Sequence, residues 1–469
     1  MSSDEEETSL LKKMMLSGKY ATRFFDKDGH FLSALMSENI RQIYHIITLR
    51  DNEEIFIYNE DEGIWEPHGE ISLHAIIKKI MGETYSKRLA DRVIADIKAS
   101  TLTDRRIFNM PLKLLPVKNG ILDIEKRTLI PYSHKYHFTS KLPITYDPNA
   151  ECPKFLKFLK QILPNENDRK IIQELFGYLL LRDYPYQVAF MFVGEGWNGK
   201  STLINMMKRF LGPHNVSSVD LQSLDNDRFA SSQLYGKYAN LRADISGTAL
   251  QKTGTFKMLT GGDLITAEKK FKNPFQFVNF AKLIFSANKI PYTNDDSIAF
   301  YRRWIIIKFN QQFKPELGNC DPKILDKITM PEELSGILNW ALEGLERLQK
   351  QGHFSYKLKD EEIKDEYLRK ASSLYAFIRD CVREEPGWNT PKDEFYRAYV
   401  KYCREHRLPI MSKIAVGRQI TRYLPSVTTS YPKIEGRQRM CWNGIIVDGV
   451  VAHGEQGFEE PTKEKGLLE

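Results

Sequence analysis

No run of the 469-residue chain approaches the roughly 20 consecutive apolar residues that a membrane-spanning helix needs, so no membrane partner is expected. There is no internal repeat and no low-complexity tract, which excludes solenoids and disordered scaffolds. Cysteine is scarce: Cys152, Cys320, Cys381, Cys403 and Cys441 lie far apart without a CxxC pair, so neither a disulfide framework nor a zinc site is expected. Reduced, mostly buried thiols fit better. The start, Met1 to Thr8, is acidic rather than signal-like, and a cytoplasmic location is expected. The net charge of +7 is modest for this length, so its distribution matters more than its sum. With 42% hydrophobic and 28% charged residues the composition is that of a globular protein, long enough for two to four domains.

What the chain does contain is Gly194-Glu195-Gly196-Trp197-Asn198-Gly199-Lys200-Ser201-Thr202, set between an apolar strand (188–193) and a helical pattern (202–211) that Gly212-Pro213 ends. Glycines let the backbone turn sharply so that several N–H groups face a polyphosphate at the positive end of the next helix. Lys200 would reach the β- and γ-phosphates, and Ser201 would offer a hydroxyl to magnesium. ATP and Mg2+ are thus the expected cofactors. The loop by itself says only that a nucleoside triphosphate binds, since kinases, GTPases and motors share it.

Upstream, residues 54–58 read as a strand, 73–81 as a helix and 121–129 as a hairpin, an α+β region. Asp26-Lys27-Asp28-Gly29 lies between Phe24-Phe25 and Phe31-Leu32 and reads as a polar turn rather than a metal-binding DxD. Turn-rich Tyr146-Asp147-Pro148 marks a boundary, residues 153–182 read as helical, and from 187 to 309 strands alternate with helices as in a parallel α/β sheet. Residues 332–370 return to helix.

A hydrolytic motor needs an acid on magnesium, a polar group at the γ-phosphate and a cation for transition-state charge. The segment 238–246 reads as a short strand ending in one acid, Asp244. The segment 282–288 is a second apolar strand ending in Asn288, and 300–309 puts Arg302 and Arg303 at the mouth of a third.

In this order GxxxxGKST, NLRADIS, FKMLTGGDLITAEKKFKNPFQF, KLIFSANKIP and FYRRWIIIKF resemble the helicase domain of superfamily 3, of the primase-helicase type of phages, plasmids and poxviruses. The segments 116–123 and 146–153 resemble the domain that precedes the motor in those proteins. The resemblance implies an AAA+-like P-loop ATPase core that works as a hexameric ring on single-stranded DNA. By position Lys200 and Ser201 hold phosphates and magnesium, Asp244 is the acid on the metal, Asn288 the sensor, and Arg303, or second Arg302, the arginine finger. The family usually has paired acids where this chain has Ala243-Asp244, so Glu195 or Asp263 could assist with the water.

DNA is expected at two places. Residues 263–280 read as a hairpin whose tip, Lys269-Lys270-Phe271-Lys272, matches the superfamily 3 hairpin that projects into the ring channel; residues 256–309 carry nine Lys/Arg against four Asp/Glu. Residues 372–450 resemble a winged-helix domain, with helices at 373–384 and 391–406, a recognition helix at 412–423 carrying Lys413, Arg418 and Arg422, and a wing at 437–446. The expected division is an α+β domain over 1–150, a helical collar over 151–185, the ATPase over 186–312, a helical linker over 313–370, the winged helix over 371–452 and a tail over 453–469.

The function so implied is an ATP-dependent DNA helicase or translocase serving replication of a virus or plasmid, acting on single-stranded and forked duplex DNA. These residues leave no room for a primase domain, so either a separate primase or polymerase is the expected partner or a primase domain has been removed from ahead of the motor. Two other readings stay open: an ATP-dependent origin-binding initiator without processive unwinding, and an assembly or signalling ATPase with no nucleic-acid role.

Overall fold

The structure, a computed structural model, describes residues 21–247, 249–271, 273–454 and 459–461. The chain divides into two compact units, one built from residues up to 245 with 252–288 and 303–357, the other from 246–251, 289–302 and the residues from 358 onward. No helix among the described residues is long and apolar enough to cross a membrane.

In the first unit, α1 (Ser33–Ile43), α2 (Gly69–Met81) and α3 (Lys87–Ser100) bury the pairs Met36/Ile40, Leu73/Ile77 and Val93/Ile97, each four residues apart on one helical face. They share a core with Ile55 of a sheet ordered β3-β2-β1-β4, formed by β1 (Ile46–Leu49), β2 (Ile55–Asn59), β3 (Ile64–Glu66) and β4 (Leu102–Thr103). The alternate residues Phe56 and Tyr58 face a second cluster with Trp65 and Phe108, as the period of two requires. The Asp26 turn is present as expected: Asp26 Oδ1 accepts from the backbone N–H groups of Asp28 and His30 beneath a Phe25–Phe31 bridge.

A three-stranded meander, β5 (Leu114–Val117), β6 (Gly120–Asp123) and β7 (Thr128–Ile130), comes next. Leu115, Val117, Leu122, Leu142 and Ile144 join the large core that also holds α4 (Pro153–Ile162), α5 (Glu166–Tyr178) and the central sheet. The hydrophobic core therefore changes near residue 110 rather than at the turn-rich 146–150, because a turn marks where the chain bends and not which core its neighbours join.

The central sheet has five parallel strands in the order β14-β8-β13-β10-β9: β8 (Ala189–Val193), β9 (Val216–Ser217), β10 (Ala239–Arg242), β13 (Lys282–Ala287) and β14 (Trp304–Lys308). Every residue of β8 and β13 is buried, which is why these strands read as unbroken apolar runs rather than alternations. Helices α6 (Lys200–Leu211), α7 (Leu221–Asn226) and α8 (Gly254–Gly261) connect the strands, and an antiparallel hairpin of β11 (Leu264–Ala267) and β12 (Phe275–Val278) precedes β13. Helices α9 (Ile324–Ile328) and α10 (Pro331–Gln351) follow β14.

The second unit contains α11 (Asp360–Ala371), α12 (Ser373–Cys381), α13 (Lys392–Glu405) and α14 (Lys413–Tyr423). Its antiparallel sheet runs β16-β19-β15-β20-β21, from β15 (Val382–Pro391), β16 (Thr428–Ser430), β19 (Cys441–Val447), β20 (Val451–Gly454) and β21 (Glu459–Pro461). A separate two-stranded piece joins β17 (Lys433–Ile434) to β18 (Arg437–Gln438). Two expectations need correction. Residues 382–391 are a strand, not helix ends meeting at a loop: Arg383-Glu384-Glu385-Pro386-Gly387 is a poor strand sequence, and its pairing with β19 survives through a register break between Glu384 and Asn389, where Gly387 has φ 84°. And part of the expected 453–469 tail is strand, since β20 and β21 extend that sheet.

Candidate functional site

The carboxyl edge of the parallel sheet gathers the residues singled out from the sequence. Val193 lies level with Ala287 and Lys308, so the turn after β8, Asn288 after β13 and the segment after β14 leave the sheet side by side. This is the edge at which parallel α/β sheets place their ligands. The turn is built from glycine for two distinct reasons. Gly199 has φ 86°, and a Cβ there would stand 2.4 Å from Ile162 Cγ2. A Cβ on Gly194 would stand 2.4 Å from both Asn198 Nδ2 and the Phe309 carbonyl oxygen. Trp197 also takes a left-handed conformation, φ 62°, and leaves its side chain 61% exposed.

Asn198 is the clamp of the turn: its Nδ2 donates to Glu195 O at 2.7 Å and to Phe309 O at 3.2 Å, tying the turn to the end of β14. Lys200 is buried at the first position of α6, where its ammonium donates to Asn198 Oδ1 at 3.1 Å and to the Gly194 carbonyl. Burial lowers the Lys200 pKa, and the nearby Asp244 carboxylate opposes that shift. Lys200 and Asp244 are therefore electrostatic neighbours. Asp244 is exposed, follows β10 and has φ 54°, a conformation Asp tolerates better than most residues. Ser201, Glu195, Gly196 and Asn288 are exposed on the same edge, and Thr202 is half-buried.

Beside the turn opens a cavity of about 690 Å³, bounded by Phe158 and Ile162 of α4, by Trp197 and Thr202, and by Phe313 and Leu325. Lys154, Lys157 and Lys327 add positive charge to its walls. Phe158 and Ile162 read from the sequence as helix core, and no motif marks the 313–325 segment. The Phe313 N–H brings that segment in by donating to Trp197 O at 2.6 Å.

The two arginines differ. Arg303 is 8% exposed, its Nε donates to Thr260 Oγ1 at 2.9 Å, and its carbonyl accepts from Ala189 N–H at 2.6 Å at the amino edge of the sheet. Arg302 is exposed, which favours it over Arg303 for any contact outside the chain. Asp263 goes with Arg303: a Cβ on Gly261 would lie 3.1 Å from Asp263 Oδ2 and 3.8 Å from Arg303 Nη2. Asp263 thus lies near the Arg303 guanidinium, whose backbone carbonyl is at the amino edge of the sheet.

The hairpin has the expected strands, with Leu264 level with Val278 and Ala267 with Phe275. At its tip Lys270 and Phe271 are exposed, Phe271 completely so, and Lys269 is half-buried with Nζ 5.6 Å from the Phe275 ring. Lys272 lies outside the described residues. In the second unit Ser412 Oγ caps α14 by accepting from Ala415 N–H. Arg418 is exposed and Lys413 pairs with Asp393. Arg422 is committed to its own unit: it donates to Thr293 O at 2.9 Å and Asp296 Oδ1 at 2.8 Å, and lies 4.6 Å from the Tyr292 ring. Its spacing from Arg418 places it on the recognition face, but the 292–296 segment occupies its guanidinium. Among the described residues, Asp26, Asp28 and His30 are the His/Cys/Asp/Glu group whose ligand atoms converge; all three are exposed on the turn.

Residues 22–164 match the family described as D5 N terminal like, and residues 192–303 match a family of unknown function, DUF5906. The chain is 29% identical over 211 residues to "Putative helicase L207/L206" of Acanthamoeba polyphaga mimivirus, covering 43% of this chain and 22% of that protein. It is 22% identical over 324 residues to "Putative helicase 121R" of Invertebrate iridescent virus 3, covering 61% and 34%, and 22% identical over 304 residues to "Putative primase C962R" of African swine fever virus, covering 59% and 31%. The chain therefore spans between 22% and 34% of the length of these relatives. Among solved structures it is similar to the apo C-terminal region of NrS-1, with 14% identity, a TM-score of 0.46, and coverage of 86% of this chain and 98% of that one. Two family matches in tandem and relatives of this kind support a primase-helicase of the D5-like viral type.

Proposed function

We propose that the chain is the motor part of a viral replication protein, an ATP-dependent superfamily 3 helicase that moves along single-stranded DNA as a ring, with a P-loop AAA+-like core and a winged-helix domain at residues 371–452. The observation that carries the reading is the gathering of the Gly194–Gly199 turn, Lys200, Asp244 and Asn288 at one carboxyl edge. Gly194 and Gly199 have no room for a side chain, and the N–H groups at the start of α6 supply the positive end that a triphosphate requires. The 690 Å³ cavity beside Trp197 has apolar walls and lysines suited to a nucleotide base and ribose.

Lys200, which donates to Asn198 Oδ1 and the Gly194 carbonyl, would donate instead to the β- and γ-phosphates of a bound triphosphate. Magnesium, held by the Ser201 hydroxyl and the Asp244 carboxylate, would neutralise charge on the same oxygens. Asn288 would orient the attacking water or sense the γ-phosphate, with Glu195 or Asp263 as the further acid.

ATP turnover of the wild type should rise with single-stranded DNA, and a forked duplex should be unwound. Lys200→Ala and Asp244→Asn should each lower turnover about a hundredfold, the effect of losing about 3 kcal/mol of charge-assisted contact. Near wild-type turnover in Asp244→Asn would sink the assignment of that acid. Stimulation without strand displacement would favour the origin-binding initiator, and no response to DNA would favour an ATPase without a nucleic-acid role.

A further inference from the structure

Arg105, in the helical turn Arg105–Ile107 after β4, is a buried cation, 8% exposed. Its Nε and Nη2 donate to the two carboxylate oxygens of Asp51 at 2.7 and 2.9 Å, a bidentate pair that fixes the plane of the cation. The same plane lies 4.4 Å from the centroid of Phe275 and 4.8 Å from that of Tyr235. Those rings belong to the motor: Phe275 opens β12 immediately after the hairpin tip, and Tyr235 packs edge-on against both Phe275 and Phe277, at 5.2 and 5.5 Å. Phe275 also carries the Lys269 ammonium 5.6 Å from its centroid. One ring is thus shared by a tip lysine and by an arginine from more than 150 positions earlier in the chain.

We propose that Arg105 is a positioning residue that locks the stem of the 264–278 hairpin to the N-terminal assembly, so that the hairpin and residues 21–110 shift together when the tip engages DNA. The inference rests on the reading of that hairpin as a DNA element. A buried cation held over two rings and braced by a carboxylate is directional: sliding the stem past Arg105 separates the charge from the ring faces and bends the bidentate pair with Asp51. An apolar contact would tolerate such sliding. The choice of arginine is specific too, since lysine can stand over the rings but cannot hold both Asp51 oxygens in one plane.

The test compares Arg105→Met, Arg105→Lys and Phe275→Leu in the full chain, with ATP turnover measured without DNA and across a titration of single-stranded oligonucleotide. Turnover without DNA should match the wild type, because none of these side chains reaches the Lys200 edge. The maximal DNA-stimulated rate should fall about tenfold in Arg105→Met and Phe275→Leu and less in Arg105→Lys, while half-maximal DNA concentration stays within about twofold, since no DNA contact is removed. Phe275→Leu keeps an apolar stem and carries the test should Arg105→Met fail to fold. Wild-type stimulation in both Arg105→Met and Phe275→Leu would overturn the proposal. So would a loss confined to DNA affinity of the size produced by Lys269→Ala/Lys270→Ala, which would make Arg105 a DNA contact. If the wild type itself shows no stimulation by DNA, the helicase reading fails first and the positioning role with it.

Discussion

Lys282 shows how far a side chain's identity falls short of its environment. It opens β13, a strand read from the sequence as apolar; in the structure it is fully buried, with Nζ donating to Phe280 O at 2.9 Å and to the Leu181 carbonyl, 4.7 Å from the Tyr178 ring. Burial brings its pKa down from 10.5 to about 7, with Asp183 partly opposing the shift. A folded pKa below the unfolded one means that the unfolded chain binds the extra proton, so the stability at stake is complete above pH 10.5 and is lost as pH falls towards 7. Relative to Lys282→Met, the wild type should therefore gain stability as pH rises through that window, with a slope approaching about 1.4 kcal/mol per pH unit. Denaturant unfolding of both proteins at several pH values checks this, and parallel curves would refute it. Arg303 and Arg422 teach the same lesson, for their spacing was legible and their partners, Thr260 and the 292–296 segment, were not.

At the scale of elements, periodicity carried most of the information. The hairpin alternates as a period of two demands: Ile265, Ala267, Phe275 and Phe277 are buried, while Leu264, Thr266, Gln276 and Val278 are exposed. Its tip leaves Phe271 fully exposed with φ 61°, an unfavourable place for an aromatic ring unless something covers it. If the tip holds DNA, alanine at Lys269, Lys270 and Lys272 should flatten the dependence of log affinity on log salt by about 0.7 per lysine, and Phe271→Ala should cost about 1–3 kcal/mol in single-stranded DNA binding. An unchanged salt slope would return the lysines to an ordinary solvated turn. Helix α14 was legible to the residue, because Ser412 caps it and Val416 and Ile420 bury one face. Strand β15 was not, because its charged and turn-forming residues are held by pairing with β19 on one side and β20 on the other. Pairing partners distant in sequence leave no local trace.

For the whole molecule, the arginine question separates what one chain can do from what an assembly would add. Arg303 approaches the sheet from its amino edge, where its carbonyl meets Ala189, whereas the Lys200 turn leaves the carboxyl edge. An arginine finger in this protein would thus serve a neighbouring copy, and Arg302 is the exposed candidate. Such a residue contributes about 10³–10⁵ in rate. Neither Arg302→Ala nor Lys200→Ala should turn over ATP well alone, and mixing them should restore a fraction of the rate through interfaces that pair an intact arginine with an intact turn. Mixed oligomers without any recovery would exclude Arg302 and leave the same experiment to Arg303→Ala.

Local chemistry determined the phosphate-type turn, the parallel apolar strands, the acid and amide at their ends and the basic hairpin tip, since each is written in consecutive residues with the right period or the right steric permission. Only tertiary structure decided that Leu115 to Ile144 share the core of the central sheet, that a cavity opens between α4 and residues 313–325, that Arg422 faces inward and that Arg105 crosses to Phe275. Those outcomes depend on which distant surfaces meet and exclude water, and a linear pattern of residue types does not contain that pairing.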